Sequence, residues 1–269
     1  MKNDDFGDRM KLYEGKESNR TFLPLLPICI RLDGRGFSKF TKGLQRPYDS
    51  RMIDIMIQVT RFLVEETSAC IGYTQSDEIS LILYSDNYKS QTFFDGRIQK
   101  LVSVLAALAT AKFNQLIPTI ITEKTGRLAV FDCRAWQTPN QIEAVNTILW
   151  REKDATKNSI SMASQHYYSH KALLNKTSKQ KQEMLFEKGV NWNDYPDAFK
   201  KGSYLQRKTV CRKYSVEEFE KLPPKHRALQ DPDLLIERSK VELIELPPLS
   251  SIKNKIDVIF NGADFEIVE

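Results

Sequence analysis

Pro27-Ile28-Cys29-Ile30-Arg31-Leu32-Asp33-Gly34-Arg35-Gly36-Phe37 is the stretch that decides the fold. Ile28, Ile30 and Leu32 alternate with Cys29, Arg31 and Asp33, the period of two expected of a strand with one buried face. In that register Arg31 and Asp33 share the face opposite the aliphatic one. The strand then breaks at Gly34 and Gly36, where backbone can approach a ligand closely. A carboxylate at a strand end, followed by a glycine-broken turn with free amides, suits a metal-bound polyphosphate: oxygen for the cation, N–H groups for the anion.

A second carboxylate segment lies downstream. Ile71 to Leu83 reads as strand, tight turn and strand, with the polar Gln75-Ser76-Asp77-Glu78 at its tip. If the hairpin pairs beside the first strand, Asp77 lies next to Asp33. Two Asp side chains on neighbouring strands are a common way to hold one or two Mg²⁺ ions for phosphoryl or nucleotidyl transfer. Taken singly, each segment reads better as a solvated turn or a capped loop; together they point to a site.

The 269 residues allow a full core, as one domain with a substantial extension or as two small domains. Hydrophobic residues make up 41% and charged residues 28%, a globular balance rather than a disordered one. The net charge of +5 permits a nucleic-acid partner without requiring one. No run approaches the roughly 18 apolar residues of a membrane span, and the polar, acidic N-terminus lacks a signal-peptide core. Cys29, Cys70, Cys133 and Cys211 are scattered with no Cys-x-x-Cys spacing. They read as reduced, mostly buried thiols of a cytoplasmic protein, with no zinc site.

In chain order, Gly7 to Lys16 reads as a short helix that Met10, Leu12 and Tyr13 could anchor. Lys39, Lys42 and Arg46 make a basic loop. Asp49 or Ser50 caps a helix carrying Met52, Ile53, Met56, Val59, Phe62 and Leu63. After the hairpin, a helix spans about Phe94 to Phe113, with Pro118 breaking the chain beyond it, and Leu128 to Arg134 reads as a strand. The order strand–helix–strand–strand–helix–strand predicts an α+β fold, the ferredoxin-like βαββαβ palm of polymerases and nucleotidyl cyclases. Residues 1–135 would form this palm-like catalytic domain. Residues 136–269 would form a mixed helical and β extension. It opens with a long helix from Pro139-Asn140 to about Tyr168. The basic stretch Phe199 to Lys208 then leads into a strand and reads either as an RNA surface or as a solvated hairpin. Val241, Leu243 and Leu246 suggest a strand, and Ile256 to Phe260 a last one. His166 and His170 have helical spacing but no evident third metal ligand. Trp136 and Trp150 read as packing residues.

Five segments in order, Arg31 to Phe37, Tyr73 to Glu78, Phe131 to Arg134, Trp150-Arg151 and Lys200 to Ser203, resemble the tRNA-histidine guanylyltransferases and their guanylyltransferase-like relatives. The resemblance spans about residues 5–210. It implies addition of nucleotides to the 5′ end of tRNA, in the 3′–5′ direction. The 5′-monophosphate is activated by ATP, and the 3′-hydroxyl of GTP or another nucleoside triphosphate then attacks it. It further implies two Mg²⁺ ions on Asp33, Asp77 and the Gly34 carbonyl, with Asp33 and Asp77 as the catalytic pair. Gly34, Arg35, Gly36, Phe37 and Ser38, with Ser76, would hold the triphosphate, and Arg46 would touch a phosphate. A homotetramer is implied as well. Lys100, Lys157, Asn158, Lys200, Lys201 and Arg207 are candidate RNA contacts.

The chain departs from the histidine-specific enzymes where they carry His-Ile-Asn-Asn-Leu-Tyr-Asn-Thr. Here Thr156 to Ala163 reads Thr-Lys-Asn-Ser-Ile-Ser-Met-Ala, with Thr156 in the place of the His. Relatives lacking that stretch favour template-dependent repair of 5′-truncated tRNA, and this is the expected activity. The alternatives are addition of a single G to tRNA-histidine and, further off, a nucleotidyl cyclase or a non-catalytic RNA-binding module.

Overall fold

A computed structural model describes residues 5–224, 226–229, 231 and 233–268. Met1 to Asp4 of the polar N-terminus lie outside them. The elements run α1 (Asp5–Ser18), β1 (Ile28–Gly34), α2 (Phe37–Phe40), α3 (Ser50–Thr67), β2 (Ile71–Gln75), β3 (Glu78–Leu83), α4 (Ile98–Ile120) and β4 (Phe131–Gln137). There follow α5 (Gln141–Tyr167), α6 (His170–Leu173), α7 (Ser178–Glu187), α8 (Asp197–Lys200), β5 (Ser203–Lys213), α9 (Val216–Glu220) and β6 (Leu235–Ile244). One sheet carries the strands in the order β4-β1-β3-β2-β5-β6, every neighbouring pair antiparallel. The first four strands have the order and direction of the βαββαβ unit. Residues 136–269 do not form a separate layer system. The 135/136 boundary falls inside β4, and β5 pairs with β2 to continue the palm's own sheet.

Both faces of the sheet are covered. Ile28, Ile30 and Leu32 of β1 and Ile79 and Leu81 of β3 pack under α3 and α4, with Ile55, Val59, Leu105 and Phe113 at the centre. On the opposite face Cys29, Ile71, Tyr73 and Ile82 pack against Val145 and Ile148 of α5 and against Leu249, Val258 and Ile259 near the C-terminus. Every residue of β2 and β3 is therefore buried.

Asp49 starts α3. Its carboxylate accepts the Arg51 N–H at 3.0 Å and the Arg51 guanidinium at 2.8 and 3.0 Å. The Arg51 bond holds the Asp49 carboxyl below the usual carboxylate range. We expect Asp49→Ala to lower stability by about 1–2 kcal/mol, the cost of a lost N-cap, as read by chemical or thermal unfolding. Because the pKa is depressed, the capping contribution is complete at neutral pH. It fades as pH falls through the lowered pKa, so the gap between wild type and variant should close in acid.

Three expectations for secondary structure change. α4 runs on to Ile120 with Pro118 inside its last turn, where a proline removes only one ladder bond. Ile256 to Phe260 is not a strand: Asp257–Asn261 forms a π-helical turn ended by Gly262. The adjacent residues Val258 and Ile259 are both buried there, and a short unbroken apolar run carries no period to separate helix from strand. α1 buries none of its residues, so Met10, Leu12 and Tyr13 are surface groups rather than anchors in this chain. By length and composition alone α4 passes as a membrane span, although polar residues such as Lys100, Lys112 and Asn114 interrupt its apolar run. In this fold its Leu101, Leu105, Ala109, Phe113 and Ile117 form part of the core.

Candidate active site

β1 carries Asp33 to the edge of a cleft, and the β2–β3 turn brings Asp77 to the same place. Asp33 is the cross-strand partner of Glu78, and the Gly34 N–H donates to the Asp77 carbonyl at 3.1 Å. Ser76, in the left-handed region at φ 51, makes the turn tight. Its hydroxyl donates to Asp77 Oδ1 at 3.0 Å. Gly34 tolerates no side chain, since a Cβ there would lie 2.3 Å from the Phe37 ring. Gly36 has φ 67 and opens the short α2. Phe37 itself points inward, its ring packed on Phe40, Phe113 and Phe131 at 5.1–5.3 Å. Only its backbone is left for a ligand. Arg35 and Ser38 are exposed.

The cleft has a volume of about 480 Å³, and Asp33, Arg46, Ser76, Asp77, Glu78, Arg151 and Asn158 are in its lining. Burial, with the charge of Asp33 adding to it, pushes the Asp77 carboxyl up; the Ser76 hydroxyl opposes this. Among the described residues no Lys or Arg forms an ion pair with Asp33 or Asp77. Two neighbouring carboxylates with no protein counter-charge fit a bound cation. Nor do three His, Cys, Asp or Glu side chains converge on a metal position among the described residues. Two carboxylates suffice for Mg²⁺ when water and substrate phosphates complete its shell.

Glu78 differs from both. Its two carboxylate oxygens accept from Arg151 Nε and Nη2 at 2.6 and 2.7 Å, and Arg151 Nη1 bonds Asp154 at 2.7 Å. No local pattern in the sequence signals this pairing, because the partners are 73 residues apart. Nor did it reveal the stack of Tyr48 on Phe199 at the cleft wall, ring centroids 4.8 Å apart. Trp150 is not a packing residue: it is 50% exposed, with the guanidinium carbons of Arg31 and Arg151 at 5.6 and 4.7 Å from its ring.

The candidate RNA contacts separate. Asn158 lines the cleft and Lys157 beside it is exposed. Lys100 lies elsewhere, in a polar pocket with Lys11 and Arg97, its ammonium 4.7 Å from the Phe94 ring centroid. Three others are engaged inside the chain. Lys200 binds Asp197 and the Asn193 carbonyl. Lys201 binds the Leu246 carbonyl at 2.6 Å. Arg207 reaches Ser239 and the carbonyls of Val64 and Glu65. His166 lies in the last turn of α5 and His170 begins α6, so they share no helical face.

The four cysteines are free; Cys29 is buried and Cys211 exposed.

Comparison with known proteins agrees with this architecture. Residues 7–139 match the family model described as tRNAHis guanylyltransferase. The tRNA(His) guanylyltransferase of Neurospora crassa is 32% identical over 244 residues, covering 82% of this chain and 80% of its own. A bacterial tRNA(His) guanylyltransferase-like protein in complex with ATP superposes with a TM-score of 0.75 at 33% identity, covering 91% of this chain and 94% of its own. A bacterial protein of the same description in complex with GTP gives a TM-score of 0.68 at 32% identity, covering 92% and 94%. The chain is a nucleotidyltransferase that belongs to the tRNAHis guanylyltransferase family.

Proposed function

We propose that this nucleotidyltransferase repairs the 5′ end of truncated tRNA, adding in the 3′–5′ direction the nucleotide that pairs with the opposite strand. The observation that carries the reading is the convergence of Asp33 and Asp77 on one cleft, neither of them ion-paired to a Lys or Arg among the described residues. Two Mg²⁺ ions held by these side chains and the Gly34 carbonyl would neutralise charge on the phosphates undergoing transfer. The remaining work is positioning. The backbone of Gly34 to Ser38, with Ser76, would hold a triphosphate, and Arg46 at the rim of the cleft would meet a phosphate. Asn158, with Lys157 beside it, would meet the tRNA end. The resemblance to tetrameric relatives leads us to propose a homotetramer, and the four free cysteines a cytoplasmic location.

Thr156 favours repair over addition of a lone G to tRNA-histidine. It stands in the place of a histidine in the histidine-specific enzymes, and its hydroxyl is spent on the Glu152 carbonyl at 3.1 Å.

The test uses purified protein, Mg²⁺, ATP and each labelled nucleoside triphosphate. The substrates are tRNAs lacking the first 5′ nucleotide, one for each opposing base, and an intact tRNA-histidine. Extension by the pairing nucleotide in each case is the expected outcome. Addition of G to the intact tRNA regardless of the opposing base, with no extension of the truncated ones, would replace repair by the alternative.

A further inference from the structure

We infer that Glu78 is a positioning residue rather than a metal ligand: clamped by Arg151, it braces the turn that presents Asp77. The inference rests on the proposed metal reading and specifies what holds that site in shape.

Three carboxylates cluster here, and only one has a protein counter-charge. Asp33 and Asp77 have none among the described residues, whereas both oxygens of Glu78 are taken by one guanidinium in a two-pronged bond. Such forks are strong and directional, and this one is shielded: the Glu78 side chain is 8% and that of Arg151 13% exposed. A cation placed on Glu78 would have to face that guanidinium at contact range, whereas neither Asp33 nor Asp77 has a Lys or Arg paired to it among the described residues. The arrangement thus divides the carboxylates into two that are open to metal and one that is not.

The clamp has a mechanical consequence. Ser76 and Asp77 form the whole turn between Gln75 and Glu78, which are cross-strand partners. Fixing the Glu78 side chain fixes one end of a two-residue loop whose other end enters a fully buried strand. Arg151 is a rigid support, because α5 is buried on either side of it through Ile148 and Ala155. Further along, Ser159 Oγ donates to the Lys200 carbonyl at 3.1 Å and accepts from the Trp192 indole at 3.2 Å. Asp154 takes the remaining prong of Arg151, so the guanidinium cannot swing into the cleft without breaking two ion pairs. A helix on one face of the sheet thereby sets where Asp77 stands relative to Asp33.

The experiment measures Mn²⁺ binding in the presence of GTP, by titration calorimetry or by electron paramagnetic resonance, which is independent of catalysis. Wild type, Arg151→Lys, Glu78→Gln and the double variant are compared, each first checked for folding by thermal melting. Outer partners of metal ligands commonly change metal affinity 10–100-fold. Each single variant is expected to weaken binding about tenfold, with the double variant no weaker than the weaker single, as befits a pair acting as one unit. If Glu78→Gln does not fold, Glu78→Asp replaces it. That change keeps the charge, shortens the reach to Arg151 and is expected to weaken binding by a similar factor. If the Glu78 variant abolishes Mn²⁺ binding while Arg151→Lys leaves it untouched, Glu78 is a ligand and the brace is overturned. Unchanged affinity in both variants overturns it equally. A wild-type protein that binds no Mn²⁺ is a distinguishable result: it removes the metal reading, and the brace with it.

Discussion

Asp33→Ala and Asp77→Ala should each lower nucleotide addition by about 10³-fold or more, with little change in affinity for tRNA. Charge neutralisation by a bound metal is worth several kcal/mol in the transition state, and each 1.36 kcal/mol is a factor of ten in rate. Single-turnover extension of a truncated tRNA reads the first quantity, and binding at fixed salt the second. A third measurement separates lost chemistry from misfolding. The Asp77 carboxyl is pushed up by burial and by Asp33, so its ionised form costs stability in the metal-free protein above that raised pKa. The cost disappears as pH falls through it. Without metal, Asp77→Ala should therefore melt no lower than wild type at neutral pH. Adding Mg²⁺ and GTP should raise the melting temperature of wild type only. An Asp77→Ala protein that extends tRNA at the wild-type rate would remove the metal assignment.

The central strand and the hairpin were legible because their chemistry is local. Alternation in Ile28 to Leu32, the polar tip between Gln75 and Glu78, and a capping Asp49 or Asn140 are each decided within a few residues. The βαββαβ order then forces Asp33 and Asp77 together. What sequence hid was long-range. Period two identifies one buried face of β1 but cannot announce that α5 and the C-terminal segment cover the other, burying Cys29 as fully as Ile30. Lys201 and Arg207 carry the same charge as any RNA-binding residue, and only the fold shows them bonded to the Leu246 and Glu65 carbonyls. Trp150 falls on a helix whose apolar stripe lies elsewhere, at Ile148, Ala155 and Ile160. That stripe contains one charged residue, Glu152. A carboxylate at an interior helical position is a visible anomaly in the sequence, but its partners, Tyr204 and the amide of Leu249, are 52 and 97 residues away.

Glu152 should be the most sensitive structural position outside the cleft. Its carboxylate, 3% exposed, accepts from the Tyr204 hydroxyl at 2.5 Å and from the Leu249 N–H at 2.9 Å. It thereby ties α5 to β5 and to the segment that closes the second face of the sheet. Glu152→Ala would strand two buried polar groups and leave a cavity, a loss of about 2–5 kcal/mol. Glu152→Gln keeps the shape: its carbonyl can accept from Leu249 and its amide can donate to Tyr204, whose hydroxyl then turns acceptor. It should stay within about 1 kcal/mol of wild type. Burial raises the Glu152 carboxyl, against the opposing bond from Tyr204. The ionised side chain therefore burdens the fold above its raised pKa, and protonation relieves it as pH falls. Glu152→Gln cannot titrate, so lowering the pH through the raised pKa should shift the stability difference in favour of wild type, as read from denaturant unfolding at each pH. Hydrogen exchange at the Leu249 amide tests the link directly. The exchange should accelerate in Glu152→Ala and remain slow in Glu152→Gln. Full protection in the alanine variant would mean that apolar packing of Leu249, Val258 and Ile259, rather than the carboxylate, holds the C-terminal segment on the sheet.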